Sequence, residues 1–210
     1  MSDFLSRYGA EILTLTYEHL WLTAAAMLFA TTVSVPAGVW LSRSPLWANP
    51  VIGVANILQT IPSLAMFGFL LPLPWLGERA ARIAILALTA YALLPIVRNT
   101  YVGIRGIDPS VVEVAHAVGL TGAQRLWKVE LPLAAPFILA GLRTATVTCI
   151  GIATIAAAVG AGGLGELIFR GVASMDNRLV LAGAIPAALL ALIADGALGL
   201  LERRFRIAGP

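Results

Sequence analysis

Residues 20–42 read LWLTAAAMLFATTVSVPAGVWLS and contain no charged side chain. As a helix rising 1.5 Å per residue, this run is long enough to cross a hydrocarbon core of about 30 Å. The whole chain has the same character, because 59% of its 210 residues are hydrophobic and only 12% are charged. A soluble domain carries about twice that share of charged residues and cannot bury so much apolar surface. The sequence therefore predicts a protein whose solvent is mainly lipid.

Four further apolar runs follow. Each is long enough to span a membrane, either by itself or together with the residues that flank it. We predict spans at about 20–42, 51–71, 80–101, 133–159 and 179–201. Pro62 is expected to bend the second span. The predicted fold class is all-α: a polytopic membrane helix bundle of about five transmembrane helices, forming a single domain over residues 1–210.

The positive charges fall unevenly on the two sides of an alternating five-span layout. One side holds Arg43, Arg98, Arg105, Arg125, Lys128, Arg203, Arg204 and Arg206, and the other holds Arg7, Arg79, Arg82, Arg170 and Arg178. Cytoplasmic loops of membrane proteins carry the excess of Lys and Arg. The N-terminus is therefore predicted outside, and the C-terminus and the loop at 102–132 in the cytoplasm. The net charge of +3 has the same explanation, so nucleic acid is not an expected partner.

The loop at 102–132 contains the signals of two short helices. Asp108-Pro109 is a helix-start signal and predicts a helix over 109–118, which Gly119 is expected to end. Thr121-Gly122-Ala123-Gln124 has the spacing of a capping box for a second helix. Pro132 is expected to terminate that second helix.

An apolar stripe runs along the first of these two helices, formed by Val111, Val112, Ala115 and Val118. Because Ala115 is small, another protein could approach closely there, and we expect Ala115 to lie at that contact. The open alternative is an amphipathic connector lying on the bilayer, held at the interface by Trp127 and basic residues.

The same loop carries a family resemblance. Glu113-Val114-Ala115 is followed after three residues by Gly119, and after nine more by Val129-Glu130-Leu131-Pro132. This resembles the EAA loop of type I ABC importer permeases, with Val at two positions where the family pattern has Ala and Ile. The resemblance implies a cytoplasmic coupling helix that docks on a separate ATPase. The implied ATPase-coupling residues are Glu113, Ala115, Gly119, Leu131 and Pro132.

Three other stretches are similar to one branch of that family. They read QTIPSLA at 59–65, LPIVRNTY at 94–101 and GAGGLG at 160–165. With the loop, they resemble permeases of osmoprotectant importers, which carry glycine betaine, choline or carnitine. Permeases for amino acids, methionine included, share the glycine-rich segment and are the alternative.

The resemblance also implies the partners and the location. It implies two ATPase subunits that bind ATP and Mg, a second permease copy or paralogue, and an external substrate-binding protein. It implies the bacterial inner membrane as the location, and no cofactor or metal in this chain itself.

Polar and glycine residues mark two candidate sites within the spans. Gln59, Thr60 and Ser63 lie beside Pro62, and polar groups there are tolerated only if they face protein or a water-filled path. They are candidates for the translocation path, with interhelical hydrogen bonding as the equal alternative. Gly162 and Gly163 permit tight turns suited to an outer gate, with plain close packing as the alternative.

Two charged residues interrupt the fourth and fifth predicted spans. An unpaired charge in lipid is costly, so we predict that Arg143 and Asp195 form an intramembrane ion pair. Independent snorkelling to the cytoplasmic interface is the alternative.

The chain lacks the residues of a catalyst. Its only lysine, Lys128, has no phosphate-binding loop around it, and two histidines with one cysteine predict neither a metal cluster nor a nucleophile pair. We therefore expect no enzyme activity in this subunit. The remaining rivals are a secondary transporter or channel that needs no ATPase, and a membrane scaffold.

Overall fold

The computed structural model describes residues 2–73 and 80–205, with side chains from residue 8 onward. Within these residues the regular elements are helices. Their bounds are α1 Ser2–Arg43, α2 Pro45–Thr60, α3 Ser63–Leu70, α4 Ala80–Arg105, α5 Pro109–Ala117, α6 Gly122–Arg125, α7 Leu131–Ala156, α8 Gly165–Ala173 and α9 Asn177–Phe205. A π-helical turn, Leu126–Glu130, joins α6 to α7, and a 3₁₀ turn, Ala157–Val159, follows α7. Of the charge count above, Arg79, Arg206 and the side chain of Arg7 lie outside the described residues.

Helix α1 contains the first predicted span and extends well beyond its N-terminal end. Trp21 and Trp40 are exposed on this helix and lie about 28 Å apart along its axis. Trp is enriched at the two membrane interfaces, and this spacing matches the thickness of a hydrocarbon core. The residues before Trp21 therefore project past one of the two interfaces.

The second predicted span is broken rather than merely bent. Helices α2 and α3 meet at an angle of 97°, and Ile61 between them is extended, with φ −68° and ψ 125°. The residue before a proline is driven out of the helical region by contact with the proline ring. Pro62 therefore ends α2 at Thr60 and starts α3 in a new direction.

Helix α4 lies at the centre and packs on α1 and α7, while α9 packs on α7 and α8. Small residues permit these close contacts. A Cβ on Gly141 of α7 would lie 2.8 Å from the Pro95 carbonyl oxygen of α4, which a real side chain does not tolerate. Buried apolar side chains of α4, among them Ile83, Leu88 and Ile96, form the core of the bundle with α1 and α7.

A second apolar cluster lies at the end of the bundle that holds the N-terminal part of α1, and it was not predicted. Leu15 of the α1 extension packs there with Leu167 of α8 and Leu179 of α9. Nearby, Arg170 Nη1 of α8 donates to Glu11 Oε1 of α1 at 2.7 Å. Helix α8 and the α1 extension therefore form a small layer at this end of the bundle.

Four helical stretches are long and apolar enough to span a membrane: Tyr8–Arg43, Ala80–Arg105, Gly122–Val159 and Asn177–Phe205. The bent pair of α2 and α3 raises the number to five. The fold class is the predicted one, an all-helical polytopic membrane bundle.

Candidate functional site

The first helix of the loop at 102–132 begins where its sequence signal predicted. The Asp108 carboxylate accepts a hydrogen bond from the Ser110 backbone N–H at 2.8 Å, which satisfies one free amide of the first turn. That bond favours the charged carboxylate and lowers the pKa of Asp108 below its ordinary value. The predicted N-cap is confirmed.

The same helix ends at a glycine in the left-handed conformation. Gly119 has φ +80°; its N–H donates to His116 O at 3.0 Å, and the Leu120 N–H donates to Ala115 O at 3.2 Å. This pair of bonds is the Schellman motif, which needs a residue with positive φ. The helix stop predicted at Gly119 is confirmed. Helix α5 ends at Ala117, Val118 is its C-cap, and Gly119 is the next residue.

The exposed apolar surface of α5 differs from the predicted stripe. Ala115 is only 5% exposed and is buried within the chain, whereas Val114 and Val118 are 63% and 70% exposed. Packing within the chain thus covers most of the Ala115 side chain, and the expectation that Ala115 lies at a partner contact stays a prediction. Glu113 is exposed beside the two valines.

The second helix of the loop does not stop at Pro132. The Thr121–Gln124 capping box is confirmed by both of its hydrogen bonds. The chain then continues through the π turn, where the Leu131 N–H donates to Leu126 O five residues back. Pro132 lies in the first turn of α7, where its missing N–H is tolerated beside the widened turn. Leu131 is half-buried there and Pro132 is exposed.

A buried carboxylate at the end of the π turn was not predicted. Glu130 Oε1 accepts from Arg125 Nε and Glu130 Oε2 accepts from Arg43 Nη2, both at 2.8 Å. The side chain of Glu130 is 7% exposed. In the sequence, the one sign of this site is an acidic residue within the apolar stretch at 129–133. That sign does not reveal Arg43, which lies far away in the chain.

The structure places the candidate path residues at the break between α2 and α3. Gln59 Nε2 donates to Tyr91 O of α4 at 2.9 Å, and the Tyr91 hydroxyl donates to Ile61 O. Thr60 is exposed, with its hydroxyl on Ile57 O of its own helix, and Ser63 is half-buried. Gln59 therefore links α2 to α4 by a hydrogen bond, whereas the Thr60 side chain is exposed and bonds within its own helix.

The glycine loop, residues 160–163, packs against α1 at the end of the bundle opposite α5. Gly162 and Gly163 have φ of +83° and +82°, and the Gly163 N–H donates to Glu18 Oε2 at 3.1 Å. A Cβ on Gly162 would lie 2.5 Å from Glu18 Oε2, and one on Gly163 would lie 3.1 Å from His19 Nδ1. Both glycines are therefore required by the backbone conformation and by the close approach of α1.

The structure brings Arg143 and Asp195 together across α7 and α9. Arg143 Nε donates to Asp195 Oδ1 at 2.5 Å and Nη2 to Oδ2 at 2.7 Å, a bidentate arrangement. Glu202, which was not predicted, lies 3.5 Å from Arg143 Nη1 on the same side of α9. These three side chains line an open groove of 360 Å³ together with Thr144 and Thr148.

The arrangement is that of a polytopic membrane bundle with a broken span, a glycine loop at one end and a capped, partly apolar helix at the other. Among the described residues, no group of His, Cys, Asp and Glu side chains could hold a metal ion.

Residues 30–207 match the family described as binding-protein-dependent transport system inner membrane component. The chain belongs to this family. It is 44% identical to the choline transport system permease protein OpuBB of Bacillus subtilis (strain 168), covering 99% of this chain and 94% of that protein. It is also 44% identical to the carnitine transport permease protein OpuCB of Listeria monocytogenes, covering 96% of this chain and 91% of that protein.

The fold is that of known importer permeases. A chain of the MetNI methionine ABC transporter, in an inward-facing conformation, superposes with a TM-score of 0.82 over 93% of this chain and 97% of that chain, at 23% identity. At this identity the similarity establishes the fold alone. The protein is thus a multi-pass permease of the inner-membrane component family.

Proposed function

We propose that this chain is the permease subunit of an ABC importer for osmoprotectants of the quaternary-amine class, such as glycine betaine, choline or carnitine. The supporting observation is the similarity over nearly the whole chain to permeases named for choline and carnitine. The methionine alternative is supported by the shared glycine-rich segment and by a fold similarity at 23% identity, and a shared fold carries no substrate information.

In this proposal the N-terminus lies outside and the C-terminus in the cytoplasm. Helices α1, α4 and α9 each carry arginine in the last turn, at Arg43, Arg105 and Arg203–Arg204. An alternating layout brings these three ends to one side, and an excess of positive charge favours the cytoplasmic side. Helix α5 then lies in the cytoplasm, where an ATPase is available.

The partners follow from the same surfaces. The exposed valines of α5, with Glu113 beside them, form the surface on which an ATPase subunit would dock. Two such ATPases would bind ATP and Mg, and a second permease copy or paralogue would complete the path. An external substrate-binding protein would deliver the substrate at the outer face, beside α8 and the glycine loop.

The mechanism would be alternating access. Closure of the ATPases on ATP would draw two docked α5 helices together, and stiff helices would convert that displacement into opening of the outer face. The exposed Thr60 side chain at the α2–α3 break is our candidate for a polar part of the path. This chain would position and conduct the substrate, and would break no covalent bond.

Uptake in cells that carry the complete system tests the substrate class. Radiolabelled choline would be supplied to cells lacking other osmoprotectant uptake, with unlabelled glycine betaine, carnitine or methionine as competitors. We expect uptake that betaine or carnitine suppresses and methionine does not. Suppression by methionine alone would assign the chain to the amino-acid branch. Uptake that continues with a hydrolysis-deficient ATPase partner would contradict ABC coupling altogether.

A further inference from the structure

Glu130 joins two parts of the chain that the backbone does not connect directly. We call residues 109–130, comprising α5, α6 and the π turn, the coupling segment. Arg125 belongs to this segment, whereas Arg43 is the last residue of α1. A buried carboxylate is stable only when its oxygens are paired, and here one oxygen faces each arginine at 2.8 Å. The coupling segment is therefore tied to the cytoplasmic end of α1.

Arg43 also lies at a tight elbow between α1 and α2. The Ser44 N–H donates to Leu41 O at 3.1 Å and the Trp47 N–H donates to Ser44 O at 3.0 Å. Helix α2 begins at Pro45, immediately after this elbow. A displacement of Arg43 therefore displaces the start of α2 as well as the end of α1.

The outer end of the same helix holds the glycine loop. Glu18 accepts the Gly163 N–H, and His19 is fully buried with Nε2 3.0 Å from Ile150 O. From Glu18 to Arg43 the helix is unbroken, with Pro36 in its interior, and is about 38 Å long. A secondary element that is continuous in this way can carry coupling between distant sites.

We propose that Glu130 is a positioning residue that ties α1 to the coupling segment, so that α1 transmits movement of this segment to the outer glycine loop. The inference rests on the proposed function, because it needs an ATPase that displaces α5. It competes with transmission through α7 alone, which also connects the coupling segment to the glycine loop. Transmission through α7 would follow the backbone by way of the π turn. Transmission through α1 depends instead on the side-chain contacts that Glu130 makes with Arg43 and Arg125.

The test uses the permease assembled with its ATPase in lipid nanodiscs. Cys149, the only cysteine, is buried and is replaced by alanine, and Ala161→Cys then reports on the outer loop. The measurement is the rate of maleimide labelling with and without ATP and orthovanadate. In the reporter background we expect ATP and vanadate to change this rate about tenfold, within the usual range of allosteric coupling.

Glu130→Gln and Arg43→Gln should reduce that response to less than about twofold while ATPase binding and basal ATP hydrolysis persist. Arg43→Lys should restore part of the response, because lysine supplies one charged donor. Lys128→Gln is the matched control: it removes a charge in the same π turn from an exposed side chain and should leave the response unchanged.

The two proposals fail in different ways. If the ATPase does not co-purify with the reporter background, or ATP and vanadate leave labelling unchanged there, the proposed function is wrong and this inference with it. A full response in Arg43→Gln with the ATPase bound overturns the inference alone and assigns transmission to α7. Arg43→Gln decides even if Glu130→Gln fails to assemble, since it leaves the Glu130–Arg125 pair inside the coupling segment.

Discussion

The two ends of α1 are held by different kinds of interaction. At the cytoplasmic end, Arg43 meets Glu130 through charged side chains, whose energy depends on pairing and on burial. At the outer end, Gly163 meets His19 and Glu18 through backbone conformation and close contact. The inner contact can be weakened or restored by changing charge, whereas the outer contact is set by the space available.

The strongest test of the inner contact removes both arginines. Arg43→Gln with Arg125→Gln leaves the Glu130 carboxylate buried without a charged partner, and we expect a loss of about 3 kcal/mol in unfolding free energy. Glu130→Gln should cost about 1 kcal/mol, because the freed arginines are partly exposed and reach water. Unfolding of the reconstituted protein in graded denaturing detergent gives both values. Equal losses would mean that the buried charge is not what makes the contact costly to break.

The outer contact is tested by adding one methyl group. Gly163→Ala should cost about 2–3 kcal/mol, because it combines a left-handed backbone with the nearby His19 ring. Gly119→Ala is the matched control, since φ there is +80° but no atom outside the local chain lies within 4 Å of the added Cβ. It should cost about 1 kcal/mol, from the backbone alone. Thermal unfolding of both variants measures the two costs. An equal shift in melting temperature would mean that contact with His19 adds nothing to the cost at Gly163.

The ion pair between α7 and α9 offers a second charge-held contact. Arg143→Gln removes the charged partner of Asp195 and one partner of Glu202, and should destabilise more than Asp195→Asn, which leaves Arg143 with Glu202. Because these side chains are partly exposed, the effect should be modest and smaller at high salt. A double-mutant cycle of Arg143→Gln and Asp195→Asn should give a non-zero coupling. Strict additivity would favour independent snorkelling.

The smallest expected effect is a pH dependence at the start of α5. The pKa of Asp108 is lowered in the folded state, so its charge stabilises the helix at neutral pH. This stability begins to fall as the pH drops below the ordinary aspartate pKa of about 3.9, and is lost as it passes below the lowered folded value. Hydrogen exchange at the first amides of α5, corrected for intrinsic rates, should accelerate a few-fold over this range. Asp108→Asn keeps the cap but does not titrate, so acceleration in that variant would contradict the assignment.

Local signals in the sequence predicted local structure correctly. The caps at Asp108 and Thr121 and the left-handed Gly119 each depend on residues within one turn of the chain. Pro62 was expected to bend a helix, and the restriction on Ile61 makes the effect a break.

Features that depend on distant residues could not be predicted in the same way. The burial of Ala115 depends on which face of α5 packs inward, and the Glu130 clamp joins residues 87 positions apart. Helix α8 has nine residues. Which of its apolar residues are buried depends on the extension of α1, which packs on them from a distant part of the sequence. The continuation through Pro132 required a wider helical turn that no residue type specifies.

The π turn between α6 and α7 sets the rotational phase of the two helices it joins. Each residue of an α-helix advances the chain by about 100° around the axis, and a π turn contains one residue more than the regular helix needs. Deleting one residue between Leu126 and Glu130 would rotate the coupling segment by about that angle relative to α7. Because α5 is also attached to α4 through residues 106–108, such a deletion would strain both connections of the coupling segment. The single extra residue of the π turn thus fits the direction in which α6 leaves α7 to the position of α5.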